Sequence, residues 1–307
     1  MPTVTLTESA KLALNELVAG VIENVITVNK MFHVLPFDAI DGNALAYNRE
    51  NILGDVDAQA PGSIIAAKNP ASFTNVTSSL TTLIGDAEVN GLIQATRSDD
   101  GNDQTAVQIA SKAKNAGRQY QNMFINGDGT NGSFLGLINL VAPEQTITPV
   151  SANGDALSFE GMDNMMDLVT DKDGQVDYFA FNARTIRSYF ALLRSLGGAR
   201  IDETIQLTDD VQVQAYRGTP IFRNDWIPLN QTQGTATTAT TIFAGTFDDG
   251  SRQHGCAGLT AANAAGIHVV DVGEKELTDD HIWRVKWYCG LALFSEKGLS
   301  AYEGITN

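Results

Sequence analysis

A chain of 307 residues with 43% hydrophobic content is long enough for one large domain or two smaller ones. Its 20 lysines and arginines face 36 aspartates and glutamates, a net charge of −16. That balance argues against a surface built to grip phosphates, but it leaves room for a wall that faces DNA without holding it. Cys256 and Cys289 imply no disulfide framework, no apolar run approaches the ~20 residues of a membrane span, and no basic n-region follows Met1.

Residues 1–37 read as an arm. Thr5 and Glu8 have capping-box spacing, and Leu14, Leu17, Val18, Val21, Ile22, Val25 and Ile26 make an apolar helical stripe. The stripe suits a core helix and an arm docked on a neighbouring copy equally well. With Lys11 as the one cation of its polar face, it does not suit a membrane surface. Met31 to Phe37 is apolar and broken by Pro36, so it enters a strand or a turn.

Residues 38–88 are rich in Asn, Asp, Ser, Thr, Gly and Ala and poor in large aliphatics. Residues 44–51 suit a strand with Leu45 and Tyr47 on one face. Residues 73–84 suit one threonine-serine strand in which Leu80, Thr82 and Ile84 alternate with their neighbours. A two-stranded hairpin without an apolar face is marginal alone, and its edges invite pairing. This segment is therefore expected either to be disordered or to lie on something else, and the alternation in residues 73–84 argues for strand.

From Asp103 onward, Ala106, Ile109, Ala110, Ala113, Ala116, Gly117, Tyr120, Met123 and Phe124 recur at the spacing of one buried helical face. Asn102 and Asp103 are N-cap residues, and Asp99, Asp100 and Asp103 suit the positive end of the helix dipole. The alanines and Gly117 flatten the face for a close neighbour. The helix stops in Asn126-Gly127-Asp128-Gly129-Thr130-Asn131-Gly132, where positive φ is cheap. Gly127 and Gly132 have phosphate-loop spacing, but Ser133 replaces the lysine and a helix precedes the loop. Asn126, Asp128 and Thr130 could open a calcium loop, but Leu137 replaces its bidentate glutamate. A dinucleotide loop would need a preceding strand. A structural turn is the expectation.

Pro143 and Pro149 mark a loop. Ser158 caps a helix running to about Thr170, with Phe159, Met162, Met165, Met166 and Val169 inward as core filler. In Asp171-Lys172-Asp173-Gly174 only a turn is expected. A strand at 176–181 follows, then a helix capped by Asn182 and ended by Gly197-Gly198. Val211, Val213 and Ala215 alternate as a strand, and Gly218-Thr219-Pro220 turns the chain into Ile221-Phe222-Arg223. Residues 231–241 are a Thr/Gln/Ala tract expected as a surface loop, and 242–247 a short buried strand. Alternating strands and helices make an α/β unit. Residues 267–272 and 281–289 then read as strands, the second continued by 291–294, and Lys297-Gly298-Leu299 turns toward a short end.

Catalytic signatures are weak. His33, His254, His268 and His281 have no metal-ligand spacing, His254 with Cys256 is an isolated pair, and no G-x-S-x-G elbow occurs. The carboxylates concentrate in turns and at helix ends.

A long helix ending in Asn126-Gly127-Asp128-Gly129-Thr130, followed by Gly136-Leu137, resembles the major capsid proteins of tailed phages. These share the fold named after the Hong Kong ninety-seven phage. The resemblance covers nearly the whole chain by order of elements, and residues 126–137 carry its motif. It implies an α+β fold with an N-terminal arm (1–37), an extended E-loop hairpin (38–88) lying across the adjacent subunit, a peripheral domain with a long spine helix (89–137 and 264–307) and an axial α/β domain (138–263). Phe179, Asn182 and Thr185 match the family's axial F-x-x-N-x-x-T helix start. Gly218, Pro220 and Ile221 match its G-x-P-I turn, and Gly245 with Phe247 its G-x-F strand.

The same resemblance makes Asn126, Gly127, Asp128, Gly129, Thr130 and Gly136 the structural turn of the spine helix. It makes Tyr47, Arg49, Lys68 and Phe73 candidates for contact with the next subunit. Lys68 is the one lysine of the hairpin and so the one candidate for the lysine–asparagine crosslink some members form. The implied function is non-enzymatic: self-assembly through pentamers and hexamers into an icosahedral phage head around double-stranded DNA, without sequence-specific contact. No cofactor, metal or membrane is implied. The location would be the virion capsid, assembled in the host cytoplasm, with a portal and a decoration protein as further partners. Because Met1 leads directly into the arm, a separate scaffolding protein is also expected. A cellular nanocompartment shell with a cargo-peptide groove is the alternative, followed by a soluble α/β enzyme carrying residues 38–88 as a disordered insertion. The acidic surface implies assembly that depends on salt.

Overall fold

The computed structural model describes residues 30–64, 68–97, 103–170, 174–195, 203–206 and 212–307. The arm helix expected at 5–26, Asp99, Asp100, Asn102, Asp171-Lys172-Asp173, Gly197-Gly198 and Val211 lie outside the described residues.

Two sheets organise the chain. The five-stranded sheet is built on the long strand β14 (Asp280–Leu293). One edge of β14 pairs with β4 (Thr81–Asn90). The other is shared by β13 (Ile267–Glu274) and β12 (Cys256–Ala261), and β12 in turn pairs in parallel with β1 (Phe37–Ile40). A short helix α1 (Gly91–Arg97) leads from β4 toward α2 (Gln104–Asn126), which packs on β4 and β14. Arg284 on β14 donates twice to the Asp86 carboxylate on β4, at 2.7 and 2.9 Å, fixing the strand pair.

The second sheet runs β5-β15-β11-β6-β9-β8-β7. Its strands are β5 (Thr146–Ile147), β6 (Tyr178–Phe181), β7 (Glu203–Gln206), β8 (Gln212–Tyr216), β9 (Thr219–Arg223), β11 (Ala236–Gly245) and β15 (Leu299–Ile305), with β10 (Gln231–Gln233) paired to β11. The helix α3 (Leu137–Leu140) precedes it in the chain, and α4 (Phe159–Thr170) and α5 (Ala183–Ser195) cover one face. Met162 and Met165 are fully buried there, as core filler should be. The Asn182 amide explains the start of α5: Oδ1 accepts from Thr185 N at 2.9 Å, and Nδ2 donates to Thr240 Oγ1 at 2.7 Å. Arg217 and Gly218 both have positive φ, the two-residue turn that joins β8 to β9.

Several expectations change. Residues 73–84 are not one strand. β3 (Ser72–Ser79) pairs with β2 (Ala44–Ile52), and at Leu80 the chain crosses into β4 of the five-stranded sheet. The free hairpin therefore covers 44–79, narrower than 38–88, because β1 and β4 find sheet partners. The tract 231–241 is a strand pair, not a surface loop: Gly234 turns it with φ +58°, and Thr240 and Thr241 are buried. The chain end is no short appendage. β15 lies between β5 and β11 in the second sheet, although 264–307 was expected on the other side, and β12 joins the first sheet from within 138–263. A hairpin that crosses between sheets leaves no local trace in the sequence.

Cys256 and Cys289 are both buried in the core that joins the sheets, and burial pushes each thiol up to about 12. They are inert apolar filler. Among the described residues no helix is long and apolar enough to cross a membrane, and no cluster of three His, Cys, Asp or Glu could hold a metal ion.

Candidate assembly surfaces

The candidate site is a set of surfaces, and it begins at the helix α2. Asp103 caps it, its Oδ1 accepting from Thr105 N at 2.9 Å and Ala106 N at 3.4 Å. Of the face predicted along the helix, only Tyr120 and Phe124 near its end are fully buried, while Gln104 is buried at its start and Ile109, Ala113, Ala116 and Gly117 are partly covered. Tyr120 and Phe124 are buried against Phe32, Phe134 and Trp287, with Tyr120 and Trp287 ring centroids 4.7 Å apart. Toward the start, Ala106 and Ala110 are exposed, and a Cβ at Gly117 would meet nothing within 4 Å.

The six turn residues come together as a closed structural unit. Asp128 accepts from Thr130 N at 3.0 Å, Thr130 Oγ1 at 2.6 Å and Ser133 Oγ at 2.8 Å. The Thr130 hydroxyl and amide, then the Ser133 hydroxyl, hold its carboxyl down to about 2. Gly129 and Gly132 have positive φ, and so does Asn131. Gly127 does not: its φ is −58°. It is needed for closeness, since a Cβ there would collide with the Phe134 carbonyl oxygen. Asn126 Nδ2 donates to Trp226 O at 2.9 Å, tying the turn to the second sheet's loops. Three of the carboxylate's acceptor positions are taken inside the loop, which suits a structural turn.

The hairpin divides its four candidates. Tyr47 and Arg49 sit at its base and bind their own chain. Tyr47 OH donates to Leu293 O at 2.8 Å, and its ring meets Phe294 edge-on at 5.3 Å. Arg49 Nε donates to Phe294 O at 3.0 Å, Nη2 to Leu293 O at 2.5 Å, and the guanidinium pairs with Glu296. These contacts are within the chain, where the β14–β15 corner offers the Leu293 and Phe294 carbonyls. No local signal links residues about 245 positions apart. Lys68 and Phe73 lie further out. Lys68 pairs with Asp57 within the hairpin, and Phe73 is 65% exposed. Val56 and Ile64 are 92% and 94% exposed, with Ile52 and Leu53 also bare. So many large apolar side chains in water mark an interaction surface.

A second bare surface was missed. The edge strand β13 pairs only with β14 and exposes Ile267, Val269, Val270 and Val272. The adjacent Val269-Val270 pair was the available sign, since a strand with one wet face would alternate. Elsewhere, a cleft is lined by Asp177, Asp249, His254 and Lys297, and burial raises the Asp177 carboxyl above its ordinary value. Asp177 accepts from Phe247 N, tying two distant segments together, and Asp249 accepts from Ser251 N within its own loop.

No protein-family model and no curated protein matches the sequence. Solved structures match over their full length. An encapsulin complex from Synechococcus elongatus is similar at TM-score 0.74 and 16% identity, covering 99% of this chain and 97% of that one. A cyanophage A-1(L) capsid is similar at TM-score 0.71 and 13% identity, covering 99% and 100%. The capsid of a native GTA particle is similar at TM-score 0.64 and 11% identity, covering 98% of each chain. The chain therefore has the α+β fold of the Hong Kong ninety-seven capsids, which the encapsulin shares.

Proposed function

We propose that this chain is the major capsid protein of a phage, building an icosahedral head from pentamers and hexamers around double-stranded DNA. The observation that carries this is the hairpin. It is clamped to its own body at Tyr47 and Arg49 and bare at Ile52, Leu53, Val56, Ile64 and Phe73, on a fold that other capsids use from end to end. Each such side chain taken out of water contributes roughly 1.5–3 kcal/mol before the costs of association. The base clamp reduces those costs, because the finger is already aimed when a neighbour arrives.

The mechanism is geometric. The five-stranded sheet and α2 form a stiff plate, the second sheet carries the α/β unit that meets its copies about the capsomer axis, and the finger ties plates together. The division into arm, hairpin, peripheral and axial parts, a non-enzymatic role, DNA held without specific contact, and a place in the virion wall belong to the same proposal. So do the scaffolding, portal and decoration partners and assembly in the host cytoplasm. The net charge of −16 favours a wall that DNA does not stick to. The turn at 126–136 keeps its structural role, joining plate to α/β unit.

The similarity to the encapsulin supports a second reading, a nanocompartment shell with protein cargo. Electron microscopy and light scattering of the purified protein, with nuclease-protected DNA assayed in the particles, test both. Shells that assemble better as salt rises, and that enclose DNA when taken from infected cells, support the proposal. Shells enclosing only protein support the second reading. A monomer at every ionic strength refutes both.

A further inference from the structure

Two helices on one face of the second sheet carry opposite charge. α4 packs on β15 and α5 on β6, on either side of β11. Their inner sides enter one core, with Met165 and Val169 from α4 and Tyr189 and Leu193 from α5. Their outer sides differ. α4 exposes Glu160, Asn164 and Asp167, and α5 exposes Ala183, Arg187, Ala191 and Arg194. α4 contains no lysine or arginine, and α5 no aspartate or glutamate.

The helix dipoles account for half of this. Glu160 in the first turn of α4 and Arg194 in the last turn of α5 are favourably placed. Asp167 stands in the last turn of α4, where the dipole opposes it, and Arg187 lies early in α5, where it gains nothing. Asp163 is engaged within the chain, bound by Tyr216 OH at 2.7 Å and Arg217 at 3.0 Å. Among the described residues, Glu160, Asp167, Arg187 and Arg194 form no ion pair. The spacing also matches. Glu160 and Asp167 are seven residues apart, and so are Arg187 and Arg194, about 10.5 Å along either helix.

We propose that these stripes are the two halves of one head-to-tail contact, the acidic stripe of α4 meeting the basic stripe of α5 on the next copy of the chain. Two unlike patches make a heterologous contact, which closes into a ring when the rotation between successive copies closes and runs on as a filament when it does not. Charge complementarity of this kind sets register and rejects wrong neighbours more than it adds affinity. The inference rests on the shell reading above and names the contact that sets ring order.

Charge reversal tests it. Arg187→Glu with Arg194→Glu makes both stripes acidic, and Glu160→Lys with Asp167→Lys makes both basic. All four side chains are exposed, so circular dichroism and the melting temperature should stay near those of the parent. Each double variant alone should lose the particle peak in sedimentation at the lowest ionic strength at which the parent assembles, and the fourfold variant, with the stripes exchanged, should regain it. Mixing the two double variants should restore rings with alternating members. Alternation closes only in even rings, so hexamers should form and pentamers should not. If either double variant assembles like the parent, or the fourfold variant does no better than the doubles, the inference is overturned while the shell reading stands. A parent chain that never assembles overturns the shell reading itself.

Discussion

Two threonine-rich strands in this chain have opposite fates. β11 begins Ala-Thr-Thr-Ala-Thr-Thr, and its Thr240 and Thr241 are buried. Thr240 Oγ1 donates to Pro228 O at 2.6 Å and accepts from Asn182, while Thr241 Oγ1 donates to Gln231 at 2.8 Å. β3 reads Ser-Phe-Thr-Asn-Val-Thr-Ser-Ser, and its Thr74 and Thr77 stand in water. Composition does not separate them. β11 runs on into Ile242-Phe243-Ala244 and has β15 on one side and β6 on the other, while β3 has β2 alone. One strand is completed within the chain. The other is completed, on the shell reading, only by a second copy.

The largest effect that would break this contrast comes from the phenylalanine each strand carries. Phe243 is fully buried, so Phe243→Ala should cost about 3–5 kcal/mol in chemical denaturation. Phe73→Ala should leave monomer stability within about 0.5 kcal/mol and instead raise the concentration needed for assembly. Equal losses of stability at both positions would show the finger to be part of the monomer's core.

Next in size is the clamp. Arg49→Ala removes bonds to two carbonyls and an ion pair from a largely buried guanidinium, a loss of about 1.5–3 kcal/mol that should fall on the hairpin. Hydrogen exchange of the β2 and β3 amides should quicken while β11 is unchanged. Arg49→Lys should rescue only part, because an ammonium cannot serve carbonyls and Glu296 as a fork does. If β11 amides quickened equally, the clamp would hold the whole fold and not the finger's aim.

Much of this architecture was legible in the sequence, for local reasons. The caps of α2, α4 and α5 and the methionine core each depend on residues within one or two turns of chain, and Gly218 marked a turn there, although the structure turns at Arg217-Gly218 and already has Thr219 and Pro220 in β9. What could not be read depends on distant partners. Val76, Leu80 and Ile84 keep one parity across the crossing, so that parity does not mark the change of sheet. The tract 231–241 looked like a loop because its threonines find their acceptors only once the strands pair. For the candidate site, the turn at 126–136 was legible as structure because its bonds are internal. The intrachain landing of Tyr47 and Arg49 was not, because a backbone carbonyl carries no sequence signature.

That turn supplies the smallest and sharpest test, since the Asp128 carboxylate finds its partners within five residues. The Asp128 carboxyl is held down to about 2 by Thr130 and Ser133, against an ordinary 3.8. A depressed folded-state value means the stabilisation is fully present above about pH 4 and is lost as pH falls through 2. The group is exposed, so the effect on stability should be slight, but NMR titration of the side chain should place its midpoint near 2. Thr130→Val keeps the backbone donor and removes the hydroxyl, and should raise that midpoint without moving it to 3.8. Ser133→Ala should raise it less, because the Thr130 hydroxyl is the larger cause. A parent midpoint at 3.8 would mean that the loop is open in solution, and that the turn, like the finger, waits for a partner to set its shape.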